Sequence, residues 1–283
     1  MVSHRSHRVP VAIAIGSMPI AFVATQLGGS VVRDVAHQVL ATLGAEDQVV
    51  ATGSTLAAMG ATSVVLLLVA MATVLVSGLA LREVFVISPA PLSVYAAAAV
   101  GTVALGPLAD LLMQSMAAFW PQWTLGSVSL LHDLAQQHSV WLLWPFFALL
   151  PGIAEEAFFR GMLQGAFRRP EVAIAAGGGA FALFHLDPHH IAGVLPLGLF
   201  LSWVAQRHGL SVTIVAHVIN NTVALVSAQV SRLDVGYGTD TPLPFYWVPA
   251  GLVITAFAMW VLLRPNISAV ATSAVSADPL NTA

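Results

Sequence analysis

Residues 56–81 read LAAMGATSVVLLLVAMATVLVSGLAL, a run without one ionisable side chain. At about 1.5 Å of rise per residue it is long enough to cross the roughly 30 Å hydrocarbon layer of a bilayer as a single helix. Inside lipid the backbone must satisfy its own hydrogen bonds, so a spanning segment of this kind is helical. Working outward from it, apolar runs cut by charges or by Pro/Gly breaks recur at 10–27, 91–117, 139–167, 171–186, 190–206, 210–231 and 245–263. The fold class this predicts is all-α: a polytopic integral membrane helical bundle of about eight transmembrane helices. Composition agrees. Of 283 residues 58% are hydrophobic and 8% charged, where soluble domains carry about a quarter charged. The pattern predicts a single integral membrane domain over 1–264 and a disordered cytoplasmic tail over 265–283, where Pro265, Ser268 and Thr272 belong to no core-forming pattern.

The few charges then report topology. All ten basic residues are Arg, and cytoplasmic loops collect them. With the amino terminus inside and eight crossings, Arg5, Arg8, Arg82, Arg168, Arg169, Arg207 and Arg264 fall on the cytoplasmic side, and only Arg33 and Arg232 fall outside. Both termini are therefore expected in the cytoplasm. The outer loop 118–138 has no Arg and is bordered by Trp120, Trp123, Trp141 and Trp144, as an interfacial belt would be; the next outer loops hold Asp187, Asp234 and Asp240. Between the first two spans, Val31, Val35, Val39 and Leu43 recur every four residues opposite Arg33, Asp34, His37 and Gln38. That pattern predicts an amphipathic helix lying on the outer surface or packed on the bundle. Arg5 and Arg8 ahead of the apolar run 11–25 resemble a signal peptide, but the further spans favour an uncleaved anchor. A net charge of -3 with scattered charges argues against nucleic acid, and the absence of Cys removes thiolate chemistry. The all-Arg, Ala/Val/Leu-rich usage suggests a high-GC bacterium and its inner membrane.

Ionisable groups inside spans are costly and mark function by default. The densest cluster is Pro151-Gly-Ile-Ala-Glu-Glu-Ala-Phe-Phe-Arg160. Glu156 and Arg160, four apart, share a helix face and can pair, which lowers the cost of burying both. Glu155 is turned about 100° away and keeps no such partner, which suits a general base or acid; a purely structural charge network is the alternative. Pro151 and Gly152 are expected to loosen the helix and help admit an extended substrate. His185 ends a span containing Gly177, Gly178 and Gly179, which permit close helix approach. Counting from the turn at Arg168–Pro170, Glu155 lies about 18 Å and His185 about 22 Å into the membrane. Counting from Gly209, His217 lies about 12 Å and Asn221 about 18 Å deep on one face. Four polar groups from three helices thus converge in one layer. His189 and His190 read as wet loop histidines at the outer interface, or as partners of His185 in a metal site. There is no Gly-x-Ser-x-Gly, no His-Glu-x-x-His and no Gly-rich phosphate loop.

Glu155-Glu156-x-x-x-Arg160-Gly161, then Phe181-x-x-x-His185, then His217-x-x-x-Asn221, in this order, resemble the three motifs of the CPBP family: type II CAAX prenyl proteases and bacteriocin-processing relatives. The resemblance covers about residues 140–225 and implies an intramembrane endopeptidase of the glutamate type with its catalytic core at about 139–231. By motif position it implies that Glu155 activates a water with His185, that His217 and Asn221 stabilise the oxyanion, and that Glu156 and Arg160 support them. It implies a membrane-associated protein or peptide substrate, cut near its carboxyl end, within a lipid bilayer, and no cofactor. Glu155, His185 and His217 would also suit zinc, so a metalloprotease stays open beside a non-catalytic transporter or immunity protein. Residues 1–138 and 232–283 match none of the motifs.

Overall fold

The computed structural model describes residues 8–122, 126–230 and 243–264. Arg5, Trp123, Arg232, Asp234, Asp240 and the tail over 265–283 lie outside the described residues. Among those described there is no β-strand. The chain forms α1 (Val11–Thr42), α2 (Asp47–Val76), the single turn α3 (Leu81–Val84), α4 (Leu92–Val103), α5 (Gly106–Phe119), α6 (Gly126–Gln137), α7 (Val140–Ala166), α8 (Pro170–Leu183), α9 (Pro188–His208), α10 (Leu210–Gln229) and α11 (Trp247–Leu263). Six segments are long and apolar enough to span a membrane: α1, α2, the pair α4–α5, α7, α9 and α10; α8 and α11 are shorter apolar helices. The eight sequence segments therefore correspond to helical elements one for one, and the protein is a polytopic helical membrane bundle.

Its packing is that of a membrane protein. Side chains such as Ile20 (62% exposed), Val253 (69%) and Phe257 (62%) point away from the bundle, where lipid rather than water is the neighbour. Small residues bring the helices together instead. A Cβ on Gly178 would lie 2.7 Å from the Leu199 backbone nitrogen and 2.8 Å from the Gly198 carbonyl oxygen, so α8 and α9 cross backbone against backbone. One apolar cluster joins α1 and α2 to α7 and α8 through Ala21, Ala70, Phe158, Phe159 and Phe181. A second joins α4, α9, α10 and α11 through Ala98, Leu201, Ala216 and Leu262.

The two ends of the bundle can be read from contacts between segments. At one end Arg8 donates to the Phe167 carbonyl, Ser211 donates to the Ser88 carbonyl, and His208 bonds the Leu262 carbonyl at 3.1 Å. Arg8, Arg168, Arg169, Arg207 and Arg264 thus belong to one end, as the charge pattern predicts. At the other, His138 meets Thr52 at 2.9 Å and its carbonyl accepts from Gln229, while His189 meets the Trp120 carbonyl. Trp120 and Trp141 are exposed at this end, but Trp144 turns inward and donates from Nε1 to Thr222 Oγ1 at 2.9 Å.

One element departs from its reading. No separate amphipathic helix lies on the surface between the first two spans, because α1 runs unbroken to Thr42. Gly28 and Gly29 do not interrupt it; a Cβ on Gly29 would lie 2.8 Å from Thr62 Oγ1, so this point is a contact with α2. The stripe Val31, Val35 and Val39 is the exposed face of that same helix.

Candidate active site

The site is built on α7, whose hydrogen bonding widens twice into π turns, over Pro145–Leu149 and Glu156–Leu163. Pro145 and Pro151 have no N–H to give to the helix ladder, which favours a break in the regular register there. π segments inside α-helices are frequent at functional sites, and this second one carries both members of the buried pair. Gly152 also permits a close helix approach. A Cβ there would lie 2.6 Å from Val218 Cγ2 and 3.3 Å from the Val218 nitrogen, so Gly152 is where α10 is admitted close to α7. The residue before Val218 is His217.

Arg160 Nη1 donates to Glu156 Oε1 at 2.8 Å, with both side chains fully buried. The pairing expected from the spacing is present, and it is only part of a longer chain. Arg160 Nη2 donates to the Gly198 carbonyl at 3.1 Å, and the guanidinium carbon sits 4.4 Å from the centre of the Phe181 ring. Glu156 Oε1 also meets His217 Nδ1 at 2.9 Å. A carboxylate paired with Arg can only accept, so Nδ1 of His217 carries the hydrogen and Nε2 is its free nitrogen. That nitrogen faces Glu155 Oε2 at 3.6 Å, beyond direct hydrogen-bond length. The two adjacent carboxylates therefore address the two nitrogens of one imidazole. They differ in access: the Glu155 side chain is 26% exposed and that of Glu156 is 0%.

His185 is not in a helix proper. After α8 ends at Leu183 the chain turns through Leu186, the one described residue other than glycine with a positive φ (60°), and Asp187 caps α9 by accepting from the His189 nitrogen at 2.9 Å. The turn leaves His185 Nδ1 2.9 Å from the Phe181 carbonyl; the carbonyl accepts, so His185 also holds its hydrogen on Nδ1 and keeps Nε2 free. Phe181 lies edge-to-face against both imidazoles, 5.0 Å from His185 and 5.5 Å from His217 between ring centres.

Glu155, His185, His217 and Asn221 line one cavity of about 300 Å³, completed by apolar side chains that include Met59, Leu131, Phe147 and Leu197. All four residues singled out by depth are thus brought together. Asn221 Oδ1 accepts from Asn220 Nδ2 at 3.4 Å, leaving the Asn221 amide donors for the cavity. Beyond the residues read from the sequence, the structure adds two lining residues and a second role for Glu156. Asn220 lines the cavity beside Asn221, and Glu156 orients His217 besides pairing with Arg160. His190, taken for a wet loop residue, lines the cavity with its ring 4.4 Å from that of His185. His189 is not wet either: it is 1% exposed and its Nε2 lies 3.1 Å from the Trp120 carbonyl oxygen, which ties it to the end of α5. Asp110, the remaining deep carboxylate, accepts from Gln114 Nε2 at 3.0 Å and from the Leu243 nitrogen at 3.2 Å. Among the described residues no three His, Asp or Glu side chains are grouped as a metal ion would need.

Such an arrangement can hold a water between a carboxylate and an imidazole and offer amide donors to a polarised carbonyl, in a pocket lined largely by apolar side chains. Residues 137–223 match the family model described as Type II CAAX prenyl endopeptidase Rce1-like. The matched stretch contains every residue named for the site from its motifs, and it supports a peptide hydrolase of CAAX type set in a membrane. No curated protein and no solved structure matches the chain.

Proposed function

We propose, taking the Rce1-like segment as premise, that this protein is an intramembrane endopeptidase that uses Glu155 to activate water. The observation that carries the reading is the meeting of Glu155, His185, His217 and Asn221, from separate helical segments, around one cavity. Glu155 is the accessible carboxylate of the pair and Glu156 the buried one, which supports taking the first as base and the second as support. Glu155, with His185 beside it, takes a proton from a water whose oxygen bonds to the scissile carbonyl carbon. The resulting oxyanion is held by the Asn221 amide and by His217 as the imidazolium, which donates from Nε2 while its Nδ1–H stays on Glu156. Collapse breaks the C–N bond as the proton passes from Glu155 to the leaving nitrogen, giving a carboxylic acid and an amine. Oriented donors at a developing oxyanion in a dry site are the largest single contribution in many such enzymes. Glu156, fixed by Arg160, holds His217 in register.

The substrate in this reading is a membrane-associated protein or peptide cut near its carboxyl end, such as a bacteriocin leader, a secreted peptide or a sorting tail. The setting is a bacterial inner membrane with both termini cytoplasmic. No cofactor enters the scheme. Comparing carboxy-terminal fragments in cells carrying wild-type or Glu155→Gln protein tests it and names the substrate. Fragments present in both strains would exclude the protease reading in favour of a transporter or immunity role. Loss of activity on chelation with recovery on adding zinc would replace the water-activating scheme by a metalloprotease.

Asn221→Ala is expected to retain a trace of activity, because one oxyanion donor is typically worth about 10² to 10³ in rate. The loss should fall on kcat, with KM for the same peptide nearly unchanged. A loss confined to KM would place Asn221 in substrate binding instead.

A further inference from the structure

A second cavity, of about 400 Å³, opens at the Arg-rich end of the bundle and shares with the site described above only Arg160, which stands between the two. Arg8, Arg160, Arg207 and His208 line it, and among the described residues its lining contains no Asp or Glu. Arg160 is neutralised by Glu156, but Arg8 and Arg207 bring two guanidiniums to the cavity with no carboxylate in its lining, which favours an anion between them. Their donors are not used up by the protein. Arg8 donates to the Phe167 carbonyl and Arg207 stacks on Trp203 at 5.1 Å, which leaves most of each guanidinium's five N–H donors for another partner. Arg160 has its side chain fully buried, with Nη1 and Nη2 engaged by Glu156 and the Gly198 carbonyl, so it forms part of the wall and offers no donor to the cavity. Glu156 reaches Arg160 through Nη1 and does not line this cavity.

The backbone adds to the same field. Gly209 and Leu210 at the start of α10 border the cavity, Gly209 has φ 88°, and no side chain caps the helix. The first N–H groups of α10 and the positive end of its dipole are therefore available there. The cavity lies where α7 ends at Ala166, α9 ends at His208 and α10 begins. That is the level of the headgroups for helices that start and stop at the membrane surface, and basic pockets between membrane helices recognise lipid headgroups.

We infer that this cavity holds a phosphate group, supplied by the headgroup of an anionic phospholipid. A net-negative headgroup suits it better than a zwitterionic one, whose ammonium would enter a cavity that has no carboxylate to receive it.

The test is thermal unfolding of the purified full chain in detergent, with phosphatidylglycerol, phosphatidylcholine or inorganic phosphate added separately. Phosphatidylglycerol is expected to raise Tm saturably by at least about 4 °C, phosphatidylcholine and inorganic phosphate to leave it unchanged, and Arg8→Gln/Arg207→Gln to abolish the rise. If the double variant does not fold, each single variant should raise the half-saturating lipid concentration about five-fold. An equal rise with inorganic phosphate alone would keep the phosphate site and overturn the lipid as its source. Equal rises with both lipids, or a rise that survives both Arg replacements, would overturn the site itself.

Discussion

Glu155→Gln is expected to lower cleavage at least about 10³-fold, as the removal of a positioned general base does, while leaving the unfolding temperature close to wild type. The second half of this expectation is what gives the first its meaning. Glu155 touches the bundle only at the edge of the cavity, 3.6 Å from His217 Nε2, and its side chain is partly exposed. Replacing its charge with an amide leaves Arg160, Glu156 and His217 bonded as they are. A protein that folds and inserts normally but no longer cuts its substrate separates catalysis from structure. Unchanged cleavage with Glu155→Gln would remove the base from the scheme. A collapse in stability would show that Glu155 is part of the buried charge chain rather than its reactive end.

Arg160→Ala should produce the opposite profile: a loss of stability large enough to lower the yield of folded protein. Truncation removes the cation 2.8 Å from Glu156 Oε1, the donor to the Gly198 carbonyl and the charge over the Phe181 ring. Breaking a buried pair by removing one partner costs about 3–5 kcal/mol, because the other charge is left uncompensated. The double variant Arg160→Ala/Glu156→Gln checks the cause. With the stranded charge gone it should recover part of the lost stability, and the coupling between the two sites should exceed about 1 kcal/mol in a thermodynamic cycle. If Arg160→Ala alone unfolds at the wild-type temperature, the pair does not hold the helices together. If the double variant is no better than the single one, the loss comes from Gly198 and Phe181 rather than from Glu156.

Much of this was legible in the residues. Apolar length locates eight helical segments, since stretches of that size with few charges are what a bilayer accepts. Counting rise from charged turns brought Glu155 and His217 to one layer, because a helix converts sequence distance into depth at a fixed rate. What the count could not supply was rotation. Glu155 and Glu156 keep α-helical backbone angles and so point about 100° apart, yet both meet His217 because its imidazole lies between them and presents one nitrogen to each. Asn220 is another case. Adjacent to Asn221 on α10, it should face elsewhere, yet it lines the same cavity because neighbouring elements enclose that side of the helix as well. Asp187 followed by Pro188 looks like a loop, which makes His189 and His190 read as wet, whereas it caps a helix that turns His189 toward Trp120 and His190 toward His185, the second of these beside the residue named as its alternative partner. Apart from Arg160, whose pairing with Glu156 follows from their spacing, the Arg residues are scattered in sequence and inform only about sidedness. Folding collects Arg8, Arg160 and Arg207, far apart in the chain, around one opening.

The unbroken α1 has a practical consequence. Its 32 residues give it a length of about 48 Å at the α-helical rise, well beyond the apolar thickness of a bilayer, so the tip of the hairpin it makes with α2 stands in water. Leu43 at that tip is 76% exposed, and the chain has no cysteine. Leu43→Cys would therefore create a unique handle for a membrane-impermeant maleimide. In intact cells the reagent should attach from outside without prior lysis; labelling only after lysis would invert the protein in its membrane and put the Arg-rich end on the outer face.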